Sequence, residues 1–259
     1  MSLDAIRWRH AAADHRAPPA STPPTGDDFP RENVDVWSMT LPVPTQHLGR
    51  LEETLSSDEH KRAQRFLGAD KRLDFIACRG AMRMLLGRYL GTPPAQIRFS
   101  TLEQGKPKLT QRSDLHFNLS HTDGLMLAAV SSSLEVGIDV EKVRPVPAAA
   151  QLARRYFTAG ERTAMADEPA AFLRLWTCRE SVLKAIGCGI AAGWDSVRIL
   201  LRASDTADAI GLGCHCRVRL FTPFPGYVAA IAAIATDFHL RQYEFDPTHT
   251  DPPLDWTRP

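Results

Sequence analysis

The order of elements predicts two related subdomains, each mixing strands with helices, with a site between them. Three observations carry this. Residues 34–134 and 135–246 both read strand, helices, strand, strand, strand. Each half holds one long helix closed by glycine, at Gly91 and Gly187. The polar residues suited to chemistry gather in short segments of both halves. The repeat rests on element order and not on matching residues.

In the first half, 34–41 reads as a strand, broken by Pro42 and Pro44. A helical stretch starts near Asp58, with Ser56 or Ser57 as N-cap. A longer helix covers about 71–90, with Phe75, Cys78, Met82, Leu85, Leu86 and Tyr89 as its apolar stripe. Residues 97–102 read as a strand and Gln104-Gly105-Lys106-Pro107 as a turn. Strands 115–119 and 125–131 flank Ser120-His121-Thr122-Asp123-Gly124. The second half reads as a strand (136–140), helices near 148–156 and 160–167, and a long helix over 170–186. Strands near 195–201, 214–221 and 227–235 close it.

A chain of 259 residues is long enough for one large domain or two ordinary ones. With 44% apolar and 24% charged residues, its composition is globular. A net charge of +1 gives no global case for nucleic acid or an anionic membrane, so any anion site must be local. The longest apolar run, 227–235, is far short of the roughly 18 residues of a membrane span. The amino terminus has no apolar signal-peptide core. Residues 1–33 hold five prolines and are expected to form a disordered arm; 247–259 are expected to form a flexible tail. Five scattered cysteines suggest reduced thiols in a cytoplasmic protein. Cys214-His215-Cys216 has no second pair at ligand spacing, so a strand is favoured there over zinc.

Two segments concentrate the chemistry. In Val136-Gly137-Ile138-Asp139-Val140-Glu141, alternation puts Asp139 and Glu141 on one face of a strand. In Leu175–Lys184, Trp176, Glu180 and Lys184 stand at i, i+4 and i+8, on one side of a helix. Three carboxylates and an ammonium suit Mg²⁺ and a phosphate-bearing substrate. Each feature has a plainer reading. A carboxylate pair is often the wet side of an edge strand; Glu180 and Lys184 make an ordinary helix pair; Trp176 is a core aromatic. Ser120-His121 lacks a nucleophile elbow, and an anion-binding turn fits it better than hydrolase chemistry. The basic run Lys61, Arg62, Arg65, Lys71 and Arg72 is most simply a solvated helix face.

Order and spacing together change these odds. Gly105-Lys106-Pro107, Phe117-Asn118-Leu119-Ser120-His121, Gly137-Ile138-Asp139-Val140-Glu141, and Trp176 through Lys184 with Gly187 and Gly189 follow one another. The set closely resembles the 4′-phosphopantetheinyl transferases of the two-subdomain type serving peptide and polyketide synthases, over residues 34–246. The resemblance implies an α+β fold of two similar, pseudo-symmetric subdomains, each a small sheet on a long helix. It implies transfer of 4′-phosphopantetheine from coenzyme A to a serine of an apo acyl or peptidyl carrier protein, releasing adenosine 3′,5′-bisphosphate. Asp139, Glu141 and Glu180 would hold Mg²⁺ or Mn²⁺, and Glu180 would also be the general base. Lys184 would hold the diphosphate; Ser120 and His121 would contact phosphates, and Lys106 would lie beside the nucleotide. Asp74 stands where many relatives have the arginine that meets the 3′-phosphate, leaving Lys71, Arg72 or Arg79 for that contact. Arg179 replaces the usual lysine before Glu180. Two other classes compete: a catalytically silent carrier-binding module, and an Mg²⁺-dependent phosphohydrolase with water as nucleophile.

Overall fold

Alternation in the first strand, β1 (Asn33–Thr40), sends Val34 and Val36 to one face and Trp37 and Met39 to the other, all buried. A strand apolar on both faces must be covered on both. The computed structural model describes residues 30–102, 104–111, 114–164, 170–189, 193–203 and 205–247. In it, β1 lies in a four-stranded sheet with β4 (His116–Thr122), β5 (Leu125–Ser131) and β11 (His239–Glu244), in the order β11-β1-β5-β4. A five-stranded sheet holds β6 (Val136–Lys142), β7 (Val197–Leu201), β8 (Thr206–Gly211), β9 (Cys214–Phe221) and β10 (Tyr227–Ala233), in the order β6-β10-β9-β8-β7. A small hairpin pairs β2 (Phe99–Thr101) with β3 (Pro107–Leu109).

Three apolar cores define the layers. Trp37, Met39, Met126, Ala128 and Val130 pack on helix α3 (Ala69–Leu90). Val218, Leu220, Ala230 and Ala232 pack under helix α6 (Ala171–Ile186). Between the sheets, Val34, Val36, Leu125 and Leu127 meet Ile138, Val140, Ala229 and Ile231. The order is helix, sheet, sheet, helix, which is the α+β architecture expected of two similar halves. The shorter helices include α1 (Thr45–Glu52), α2 (Ser57–Gln64), α4 (Ala149–Tyr156) and α5 (Ala159–Ala164), with 3-10 turns at Pro94–Gln96 and Trp194–Ser196. Ser56 caps α2 in a capping box with Glu59. Gly91 and Gly187 end α3 and α6 in left-handed conformation. Among the described residues no helix is long and apolar enough to cross a membrane.

Several expectations need correction. Pro42 and Pro44 end β1, but Pro44 also opens a helix, α1, since its missing N–H costs nothing there. Strand β4 runs on to Thr122, so Ser120 and His121 lie on the strand; only Asp123-Gly124 turns, with Gly124 at φ 87°. β8 was not anticipated; its buried Asp208, paired with Arg202 and Arg217, interrupts an apolar reading. β11 was not anticipated either. It falls within 135–246 yet joins the first half's sheet, parallel to β1, where Arg241 grips buried Asp35 through both Nε (2.6 Å) and Nη2 (3.0 Å). The arm expected over 1–33 lies outside the described residues as far as 29, and Asn33 already belongs to β1. The tail lies outside them from 248, as do residues 165–167 of the expected helix 160–167. Cys214 and Cys216 sit on β9, and burial pushes the Cys216 thiol up to about 12.

Candidate active site

β6 and α6 build the centre. Val136, Ile138 and Val140 face the core between the sheets, so period two turns Gly137, Asp139 and Glu141 toward α6. The helix comes unusually close at Gly137. A Cβ there would collide with the backbone of Ser181 and Ala185, and would stand 2.7 Å from the carbonyl carbon of Lys184. Glycine therefore sets the distance between the carboxylate strand and the helix carrying Glu180 and Lys184. Lys184 Nζ reaches Asp139 Oδ1 at 2.6 Å, and also donates to the carbonyl of Ile138 (3.2 Å) and to Ser120 Oγ (3.3 Å). Ser120, from β4 of the first half, donates its hydroxyl to the same Asp139 Oδ1 at 2.9 Å. Asn118, two residues back, accepts from the Ile138 N–H at 2.9 Å.

The electrostatics are those of crowded acids. Burial pushes the Glu180 carboxyl above its ordinary range; Lys184 opposes this, and Asp139 and Glu141 add to it. Burial likewise raises Glu141, with repulsion from Asp139 behind it. Glu180 is 9% exposed and makes no hydrogen bond or ion pair with a described residue. Asp139 Oδ2 is buried with no hydrogen-bond partner among the described residues. Among the described residues no trio of His, Cys, Asp or Glu stands as a ready-made metal cluster. The donor set nevertheless fits a hard divalent cation: three carboxylates whose charges repel, with one buried oxygen unclaimed.

The chain is similar to known proteins. Residues 135–232 match the 4′-phosphopantetheinyl transferase superfamily, and residues 41–133 match the 4′-phosphopantetheinyl transferase N-terminal family. The 4′-phosphopantetheinyl transferase HetI of Nostoc sp. is 40% identical over 184 residues, covering 68% of this chain and 77% of HetI. The 4′-phosphopantetheinyl transferase Sfp of Bacillus subtilis is 30% identical over 207 residues, covering 73% of this chain and 91% of Sfp. The chain belongs to the 4′-phosphopantetheinyl transferase family.

The structure of this transferase brings together Asp139, Glu141, Glu180, Lys184 and Ser120 from the residues singled out in its sequence. The others stand differently. His121 is exposed, on the opposite face of β4 from Ser120 and near Asp74 on α3. Burial raises the Asp74 carboxyl, and His121 opposes that shift. Arg72 is exposed near the start of α3. Arg79 is drawn into the protein: its Nε lies 3.3 Å from Glu59, and its guanidinium lies over the Phe99 ring. Lys106, 8% exposed, has its ammonium committed to Glu135 (2.6 Å), the Val136 carbonyl (3.2 Å) and the Ala185 carbonyl (2.9 Å). It ties the β2–β3 turn to the start of β6 and the end of α6. Burial pushes Glu135 up, but His116 and Lys106 outweigh it and hold its carboxyl at about 2. Lys106, Glu135, His116 and Phe117 line a cavity of about 520 Å³. Arg179 is structural too, bonding Glu161 at 2.6 Å and the Trp194 carbonyl at 3.0 Å. Trp176 packs among Phe172, Tyr156 and Trp194. Sequence reasoning missed Asn118 as a contributor, although its period-two spacing from Ser120 places both on one face.

Proposed function

We propose that this transferase moves 4′-phosphopantetheine from coenzyme A to a serine hydroxyl of an apo acyl or peptidyl carrier protein in the cytoplasm. The observation that carries the assignment of roles is the convergence of Asp139, Glu141, Glu180 and Lys184 where the two halves meet. The serine oxygen bonds to a phosphorus of the coenzyme A diphosphate, and the bond from that phosphorus to the bridging oxygen breaks, so adenosine 3′,5′-bisphosphate leaves. Glu180, buried and without a hydrogen-bonding partner among the described residues, takes the serine proton. Burial raises its basicity, which suits a general base. Lys184 bonds Asp139, the Ile138 carbonyl and Ser120 within the protein, but its side chain is 29% exposed, so its ammonium can turn from these contacts to the phosphate that leaves, where it acts mainly on transition-state charge. Asp139, Glu141 and Glu180 are the ligands for Mg²⁺ or Mn²⁺, which when bound neutralises charge on the diphosphate.

His121 is an exposed ring that can donate to a phosphate, and Lys71 and Arg72, both exposed, are cations open for the 3′-phosphate. Lys106 serves the nucleotide end by shaping the adjoining cavity, since its ammonium is engaged within the protein; Arg79 likewise acts through packing.

Incubation with coenzyme A, Mg²⁺ and an apo carrier protein, read by intact mass, tests this. The carrier should gain the arm, and excess chelator should abolish the gain. Coenzyme A consumed without carrier modification would mean hydrolysis, and an unchanged carrier bound by the protein would mean a silent module.

A further inference from the structure

We infer that Ser120 positions the metal-binding aspartate: its hydroxyl pins Oδ1 of Asp139 and leaves Oδ2 as the oxygen presented to a divalent cation. This rests on the reading above that Asp139 is a metal ligand. A serine hydroxyl has one hydrogen to give. Here that hydrogen goes to Asp139 Oδ1 at 2.9 Å, and the same oxygen takes Lys184 Nζ at 2.6 Å. Two donors converge on Oδ1, and among the described residues none reaches Oδ2, which is buried. A buried carboxylate oxygen left bare is costly unless something claims it. Ser120 is itself 7% exposed, so its hydroxyl is held inside rather than offered to solvent.

The frame around this contact is built to fix it. β4 and β6 lie in different sheets and share no strand ladder. Asn118 substitutes for one, accepting the Ile138 N–H at 2.9 Å. Asn118 and Ser120 stand two apart on β4, so both project toward β6. One holds its backbone and the other holds the next side chain. The cation site of the second half is thus oriented by a strand of the first. Residues that orient metal ligands typically set affinity by about tenfold to a hundredfold.

The test is direct Mn²⁺ binding by calorimetric titration, without coenzyme A or carrier, on wild type, Ser120→Ala and Ser120→Thr, with melting temperatures of the metal-free proteins. Ser120→Ala should bind Mn²⁺ about tenfold to a hundredfold more weakly at a nearly unchanged melting temperature. Ser120→Thr, which keeps the hydroxyl, should bind within a few-fold of wild type, roughly. Affinity of Ser120→Ala within about twofold of wild type would overturn the inference, and so would a wild type that binds no Mn²⁺. A wild type whose Mn²⁺ binding depends on Ser120 but which modifies no carrier would sink the transfer reading and leave this one standing.

Discussion

Gly137→Ala probes the closest approach in the site. The added methyl would collide with backbone atoms of Ser181 and Ala185 and stand 2.7 Å from the Lys184 carbonyl carbon, where ordinary contact needs more than 3.4 Å. Neither side yields easily. Gly137 is registered against Ala232 of β10, and the helix atoms are main chain. β6 and α6 must therefore part by about 1 Å, an overpacking cost of roughly 1–3 kcal/mol. For a chain of this size that lowers the melting temperature by roughly 2–12 °C. The same shift separates Asp139 and Glu141 from Glu180 and Lys184, and a displacement near 1 Å costs about a hundredfold in rate. Carrier modification by intact mass, with calorimetric melting of the same sample, measures both. Gly137 has no left-handed φ, so the effect comes from contact and not from backbone strain. A folded Gly137→Ala variant working at the wild-type rate would refute the claim that glycine sets the site's spacing.

Glu180→Gln should lower turnover by about 10²–10⁴-fold, and Lys184→Ala should also cut it strongly; near-normal rates in either would remove them from the chemistry. Burial and the neighbouring acids raise Glu180 above its ordinary 4.5, Lys184 opposing, so the folded chain holds that proton more tightly than the unfolded one. Ionised Glu180 then costs stability as pH rises through the folded value, and Glu180→Gln should melt higher than wild type at pH 8 but not near pH 4; the reverse order would contradict the sign. Lys106→Met strips donors from Glu135, Val136 and Ala185, and should destabilise by about 1–3 kcal/mol per buried group left bare. Glu135, held at about 2, contributes stability that is full above its ordinary 4.5 and lost as pH falls toward 2. That acid-side loss should shrink in Lys106→Met, and acid unfolding curves parallel to wild type would argue against the tie.

Much of the site could be read from spacing because its determinants are local. Period two along 136–141 decides that Asp139 and Glu141 share a face, whatever lies opposite. One helical turn between Glu180 and Lys184 decides that they stand together. The two long helices, their glycine ends, and the Asp123-Gly124 turn follow from backbone preferences of a few neighbouring residues. What long polar side chains bond to is not local. Lys106 looked like a cation offered to a ligand until Ala185, 79 positions on, placed a carbonyl against it. Arg79 was in reach of a phosphate by sequence, and Glu59 took it. Ser120 can serve phosphate or protein by its chemistry, and in the structure its hydroxyl meets Asp139. β11 shows the same limit in the backbone. His239–Glu244 has little apolar alternation, and distant partners hold it at the edge of the first sheet: Asp35, 206 positions earlier than Arg241, and Trp37, which stacks on Tyr243. Which face a residue occupies could be read locally, because it depends on steric periodicity within a strand or helix. Which partners those faces meet depends on packing, because hydrogen bonds and ion pairs form with whatever the packed sheets bring within about 3 Å.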